Sequence, residues 1–168
     1  MFETASELAE LQALIDRSFA ASGAHLTSIV GPSRRLMASQ VAAYLRGVKH
    51  VTFATVNSAG QPLAAPLDGW FIHGQFIVST SSSALRMRHL RRNPAASLGH
   101  VVGDDIGIWA HGQARIATKG EPLVDEFDNI ATQTYGSSPF TWGDIAVVVL
   151  EARAFFAYAS KPETFASE

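Results

Sequence analysis

The feature that most constrains this chain is a set of six segments in which apolar side chains recur with period two, most of them joined by turns of a few residues. Parallel neighbours need a crossover of about a dozen residues or more, so turns this short select antiparallel pairing. Val51, Phe53 and Thr55 alternate with Thr52, Ala54 and Val56, and the run ends in the hairpin-type turn Asn57-Ser58-Ala59-Gly60. The return segment, 62–73, carries Pro62 and Pro66, which have no N–H to donate and so predict a strand edge or a bulge. His73-Gly74 leads into a third segment at 75–80, Gly103-Asp104-Asp105 joins two more at 95–102 and 106–118, and 145–158 reads as the last. Two helix-compatible runs interrupt the series, 84–92, ended by Asn93-Pro94, and 122–135, with Leu123, Phe127 and Ile130 on one side. The pattern predicts an α+β fold, mainly antiparallel β, closed as a barrel of about six strands. A barrel of this size fills its interior with side chains, so a ligand is expected on its outside or between subunits.

Ahead of the strands, Leu8, Leu11, Ile15 and Phe19 at helical spacing predict a helix over 5–21. A Gly/Ser/His-rich connector follows, and then a second short helix capped by Ser39, carrying Val41, Tyr44 and Leu45 and stopped by Gly47. The chain therefore divides into a helical extension, residues 1–47, and a barrel, residues 48–168, within one compact domain. A length of 168 residues with 47% hydrophobic content is enough for a single core. The longest apolar run, 145–150, is far short of the roughly 20 residues that span a bilayer, and the acidic N-terminal stretch has no signal-peptide pattern. Both predict a cytoplasmic protein with no membrane partner.

Thirteen Lys and Arg against 15 Asp and Glu give a net charge of -2, which argues against a dedicated polyanion binder. The absence of cysteine removes disulfides, thiolate metal sites and thiol nucleophiles together. The six histidines have no paired ligand spacing, so no metal site is expected. No GxSxG elbow, phosphate-binding glycine loop or GxGxxG fingerprint is present, and the carboxylates form no evident acid/base pair.

The densest polar feature is Ser79-Thr80-Ser81-Ser82-Ser83, followed by Arg86 and Arg88. Hydroxyls and backbone N–H groups between a strand end and a helix start, with a guanidinium one turn in, suit a phosphate monoester. The alternative is a polar loop beside a solvated basic helix. A nucleic-acid stripe through Arg86, Arg88, Arg91 and Arg92 lacks the interleaved aromatic residues that would stack on bases. Trp109 and His111, two positions apart on a strand, share a face and could line a pocket or pack in a core or interface. Asp68, beside Gly69 and Trp70, is an acid in an apolar strand, read as an outward-facing edge residue.

Three stretches carry a family resemblance: Phe53-Ala-Thr-Val-Asn-Ser-Ala-Gly-Gln-Pro62, then Phe76-Ile-Val-Ser-Thr-Ser-Ser-Ser-Ala-Leu-Arg-Met-Arg-His-Leu-Arg-Arg-Asn-Pro94, then His111-Gly-Gln-Ala-Arg-Ile116. They resemble the pyridoxamine 5′-phosphate oxidase-like superfamily of flavin and deazaflavin-dependent split β-barrels, over roughly residues 38–118. The resemblance implies a homodimeric split barrel with FMN between the subunits and an oxidoreductase acting on an unidentified small molecule. It carries the flavin ring onto the backbone of Ala65, Pro66, Leu67, Asp68, Gly69 and Trp70. It carries the phosphate onto Ser79, Thr80, Ser83, Arg86 and Arg88, and it brings Trp109 and His111, with the Trp142 loop, from the partner subunit. The family enzyme's Ser-Arg-Lys at the phosphate helix is Ala84, Leu85 and Arg86 here, and its C-terminal substrate segment has no counterpart, which argues against vitamin B6 oxidation. The helical extension is similar to the branch that includes users of coenzyme F420, for whose polyanionic tail Arg34, Arg35 and Arg46 are candidate partners. A non-catalytic flavin-binding or sensing protein, and a barrel that binds no cofactor and serves as a dimeric interaction module, remain as further readings.

Overall fold

The structure, a computed structural model, describes residues 2–165. Six antiparallel strands close into a barrel in the order β1-β2-β3-β6-β5-β4. They are β1 (Lys49–Val56), β2 (Pro62–Ile72), β3 (Gln75–Ser81), β4 (Ala95–Val102), β5 (Ile106–Ala117) and β6 (Ile145–Ala159). Each coincides with one of the period-two segments to within a residue or two. The β1–β2 hairpin closes through Asn57, whose side chain accepts from the backbone N–H groups of Ala59 and Gln61. The β2–β3 turn uses two consecutive left-handed residues, His73 and Gly74, at φ 53° and 72°, as a twisted two-residue hairpin requires.

Inward-facing side chains fill the barrel: Val51 and Phe53 of β1, Phe71 of β2, Phe76 and Val78 of β3, and Val148, Leu150 and Phe155 of β6. Phe76 and Phe155 stack at 5.7 Å. The helix α4 (Leu85–Arg92) adds Met87 and Leu90 to this core. A second core lies on the other face of β2, β3 and β6, where α5 (Pro122–Tyr135) packs Val124, Phe127 and Ala131 against Trp70, Ile72, Ile77, Val147 and Val149.

The N-terminal helix α1 (Ala5–Ala20) starts at a capping box of Thr4 and Glu7 and presents Leu11, Ile15 and Phe19 to the main core. The connector after it holds structure that composition did not show, a helix α2 (Ala24–Ile29) and a 3-10 turn at Pro32–Arg34. The next helix, α3 (Ala38–Tyr44), corrects the expected cap: Ser39 lies inside it and Met37 precedes it. Its first donors are met by two glutamines, Gln40 accepting from the Met37 N–H and Gln12 of α1 accepting from the Ala38 N–H. Among the described residues, no helix is long and apolar enough to cross a membrane.

Candidate functional site

The barrel opens where β2 leaves β3. Pro62 to Gly69 of β2 pair with β1, whereas only Gly69 to Ile72 pair with β3. Among the described residues, 62–68 therefore present one edge to no strand, and proline at two of these positions, Pro62 and Pro66, suits an edge. Across the gap stand the end of β3 and the start of α4. Between them lies a pocket of about 180 Å³ lined by Phe53, Thr55, Leu63, Ala65, Arg86 and His89, with Ala64 and Leu85. Leu63 and Leu85, which both line it, are exposed, at 43% and 49%.

The polar side of the cleft follows from local chain geometry. After β3 the backbone turns through Ser81–Ala84, held by the Ala84 N–H to Ser81 carbonyl bond. Ser82 is committed elsewhere, its N–H donating to the Asp144 carbonyl at 2.9 Å and its hydroxyl to the Asp144 carboxylate. Among the described residues, Ser83 hydrogen-bonds only to Ser81, at 2.8 Å between hydroxyls. The helix cap is Ala84, which has no side chain to satisfy the donors of the first turn. Arg86 bends back over that turn and donates to Thr80 Oγ1 at 2.5 Å. An uncapped helix start with a fixed guanidinium beside it attracts an anion. Arg88 and Arg92 extend the positive charge along a contiguous depression of about 400 Å³ that also reaches Asn57 and Ser58.

Period two places the remaining candidates. Val78 belongs to the inner core and Ile77 to the outer one, so Thr80 faces inward and Ser79 outward. Asp68 faces outward as expected, but it is engaged: it accepts from the Tyr135 hydroxyl at 2.5 Å and lies 3.5 Å from His50 Nε2. Burial, and then the Asp68 hydrogen bond and charge, raise the Tyr135 pKa well above that of a free phenol. Gly69 sits so close to β1 that a Cβ would lie 2.9 Å from Val51 Cγ1. The Trp70 side chain is closed off beneath α5, edge-on to Phe127 at 4.9 Å, and its backbone pairs with Ile77 of β3.

Sequence reasoning missed His89. Its ring is buried in the cleft wall, with Nδ1 2.9 Å from Thr55 Oγ1. The side chain lines both depressions. Thirty-four residues separate the pair, so no local spacing could have shown it; the one available signal was a histidine within the arginine run.

Trp109 and His111 share a face, but they line a different groove, formed with α1 and α2. Phe156 of β6 touches both rings, stacking on Trp109 at 5.0 Å and 16°. Arg34 and Arg35 lie over the rings of Tyr158 and Phe19, in the N-terminal packing rather than at the cleft. Trp142 is exposed and donates to Ser137 Oγ at 3.0 Å. Among the described residues, no cluster of His, Asp and Glu has metal-binding geometry.

Comparison with known proteins gives the same architecture a family. No curated protein matches. Among solved structures, the conserved hypothetical protein Rv2991 from Mycobacterium tuberculosis superposes with a TM-score of 0.66 at 18% identity, over 82% of this chain and 93% of that one. The haem storage protein HutZ from Vibrio cholerae gives 0.55 at 16% identity, over 66% and 86%. An F420 reductase gives 0.52 at 16%, over 66% and 91%. At these identities the likeness is one of fold. The model of the family described as pyridoxamine 5′-phosphate oxidase matches residues 37–158, a span that includes the cleft and all of the barrel but the last residue of β6, and the chain belongs to that family.

Proposed function

We propose that the cleft binds FMN and that the protein is a flavin-dependent oxidoreductase acting on a small molecule. One observation carries the reading: the unpaired edge of β2 faces the uncapped, arginine-bearing start of α4 across an apolar pocket. In this reading Arg86, Ser83 and Thr80 hold the phosphate. Arg88 and Arg92 supply positive charge where Ala84 and Leu85 replace the family's more polar pair. Backbone groups from Ala65 to Asp68, on the edge that faces away from β1, offer hydrogen bonds to a flat polar ring edge, and Leu63 and Leu85 keep water from it. Bound flavin supplies hydride or electron transfer, while the protein supplies position and electrostatics.

We infer further that the protein is a homodimer in which Trp109 and His111 of one subunit complete the site of the other, since neither residue lines the cleft of its own chain. The test is a visible-absorption titration of the purified protein with FMN, coenzyme F420 and haem separately, the last two because similar structures are named for them. FMN should bind with a perturbed spectrum, and Arg86→Ala should weaken it by about 10- to 100-fold, as for loss of a charged hydrogen bond. A response to F420 or haem alone would replace FMN in the reading, and silence with all three would overturn it.

A further inference from the structure

The groove between α1–α2 and the outer face of β5–β6 has a volume of about 600 Å³ and a composition unlike the cleft's. Its floor is the nearly parallel Trp109–Phe156 pair, and Leu26 adds an apolar wall. Arg17 and Arg153 stand at its rim, both exposed, and neither has an ion-pair partner among the described residues. Among the described residues, no carboxylate lines it.

Arg153 is placed there by a defect in the sheet. The β5–β6 register runs His111 to Ala154 and then Gly112 to Ala152, so Arg153 is the extra residue of a β-bulge. Bulges re-aim a side chain at the cost of ladder pairing. This one also demands glycine opposite, since a Cβ on Gly112 would lie 2.1 Å from the Glu151 carbonyl oxygen. His111, beside the bulge, is oriented by Ser97, whose Oγ lies 2.8 Å from its Nδ1.

We infer that this groove holds the second reactant of the proposed flavin site, and that this reactant is a planar aromatic anion. Trp109 and Phe156 stack on each other at 5.0 Å and so offer an incoming ring an edge-to-face contact, and two unpaired guanidinium forks suit a carboxylate or sulfonate at the rim. A polyanion fits less well: only two arginines flank the groove, and the C-terminal end of α1 beside it carries partial negative charge. The role as second reactant rests on the reading that Trp109 and His111 face a partner subunit's flavin; the affinity for an aromatic anion does not.

Calorimetric titration with 2-naphthoate, and with 2-naphthalenemethanol as its uncharged counterpart, tests the inference on the full chain. The naphthoate should bind more tightly than the alcohol and quench tryptophan fluorescence, with the quench lost in Trp109→Leu. Its affinity should fall at least tenfold in Arg17→Gln/Arg153→Gln, while Arg153→Lys retains part of it and FMN binding is unchanged in the double variant. Equal affinity for the two naphthalenes, indifference to the double substitution, or no naphthoate binding at millimolar concentration would overturn the inference. Naphthoate binding by a protein that takes no FMN would support the groove and overturn the cofactor reading, so the two fail separately.

Discussion

Gly112 shows how much geometry one missing side chain permits. Alanine there would meet backbone that cannot give way, the Glu151 carbonyl at 2.1 Å. Gly112→Ala should therefore cost about 1–3 kcal/mol, measured as a lower denaturation midpoint, and remove the bulge that aims Arg153. Thr55 and His89 make a second single-residue case. Thr55→Val keeps the shape but leaves His89 Nδ1 without its partner in a buried wall, so a loss of about 1–3 kcal/mol is expected in chemical denaturation. At this scale the sequence was legible only where chemistry is local. The Ser79–Arg88 cluster could be read because its members are neighbours in the chain. The Thr55–His89 and Asp68–Tyr135 pairs could not, because register and helix packing bring them together across 34 and 67 residues.

Among elements, the β2–β3 turn is the one with charge at stake. His73, left-handed at φ 53°, places Nε2 at 2.8 Å from Glu126 of α5 and Nδ1 at 3.1 Å from Glu7 of α1, tying two helices to one hairpin. Burial alone would lower its pKa, but the hydrogen bonds and charges of Glu126 and Glu7 outweigh it and hold the imidazole above its ordinary 6.5. Glu7 is held below its ordinary 4.5, chiefly by the Thr4 N–H and also by His73. A raised base stabilises fully below its unfolded pKa and loses that contribution as pH rises through the folded value; a lowered acid behaves oppositely. The clamp should thus be strongest between about pH 4.5 and 6.5. Thermal melts of wild type and His73→Asn, whose asparagine tolerates positive φ, should differ most in that window and converge at higher pH. The α5 contact is apolar by comparison: Phe127→Ala empties the space against Trp70 and should cost about 3–5 kcal/mol in chemical denaturation. The period of Leu123, Phe127 and Ile130 predicted the α5 helix itself. The α2 helix escaped notice because its six residues bury no side chain fully, which leaves no periodic signal.

For the whole molecule, antiparallel closure could be read because alternation and short turns both point to it, and the chain order of the strands followed. The barrel's neighbour order could not, since β3 pairs with β6 and β1 with β4 across long stretches of sequence. The same holds for the opening in the barrel, which Pro62 and Pro66 hint at without showing which partner is absent. A homodimer is expected to elute and scatter light at twice the mass of the 18.0 kDa chain. A species at the single-chain mass that still binds cofactor tightly would remove the role given to the partner subunit.

The edge of β2 that no strand covers has a practical consequence. Amides in a sheet are shielded from solvent by the bonds they make, so any N–H along residues 62–68 that points into the gap should trade its hydrogen for deuterium far faster than its counterparts on β5. Whatever molecule lies along that edge supplies the missing partner and slows the trade there. The protein thus carries, in its own backbone, a reporter of occupancy that needs no chromophore and no substitution.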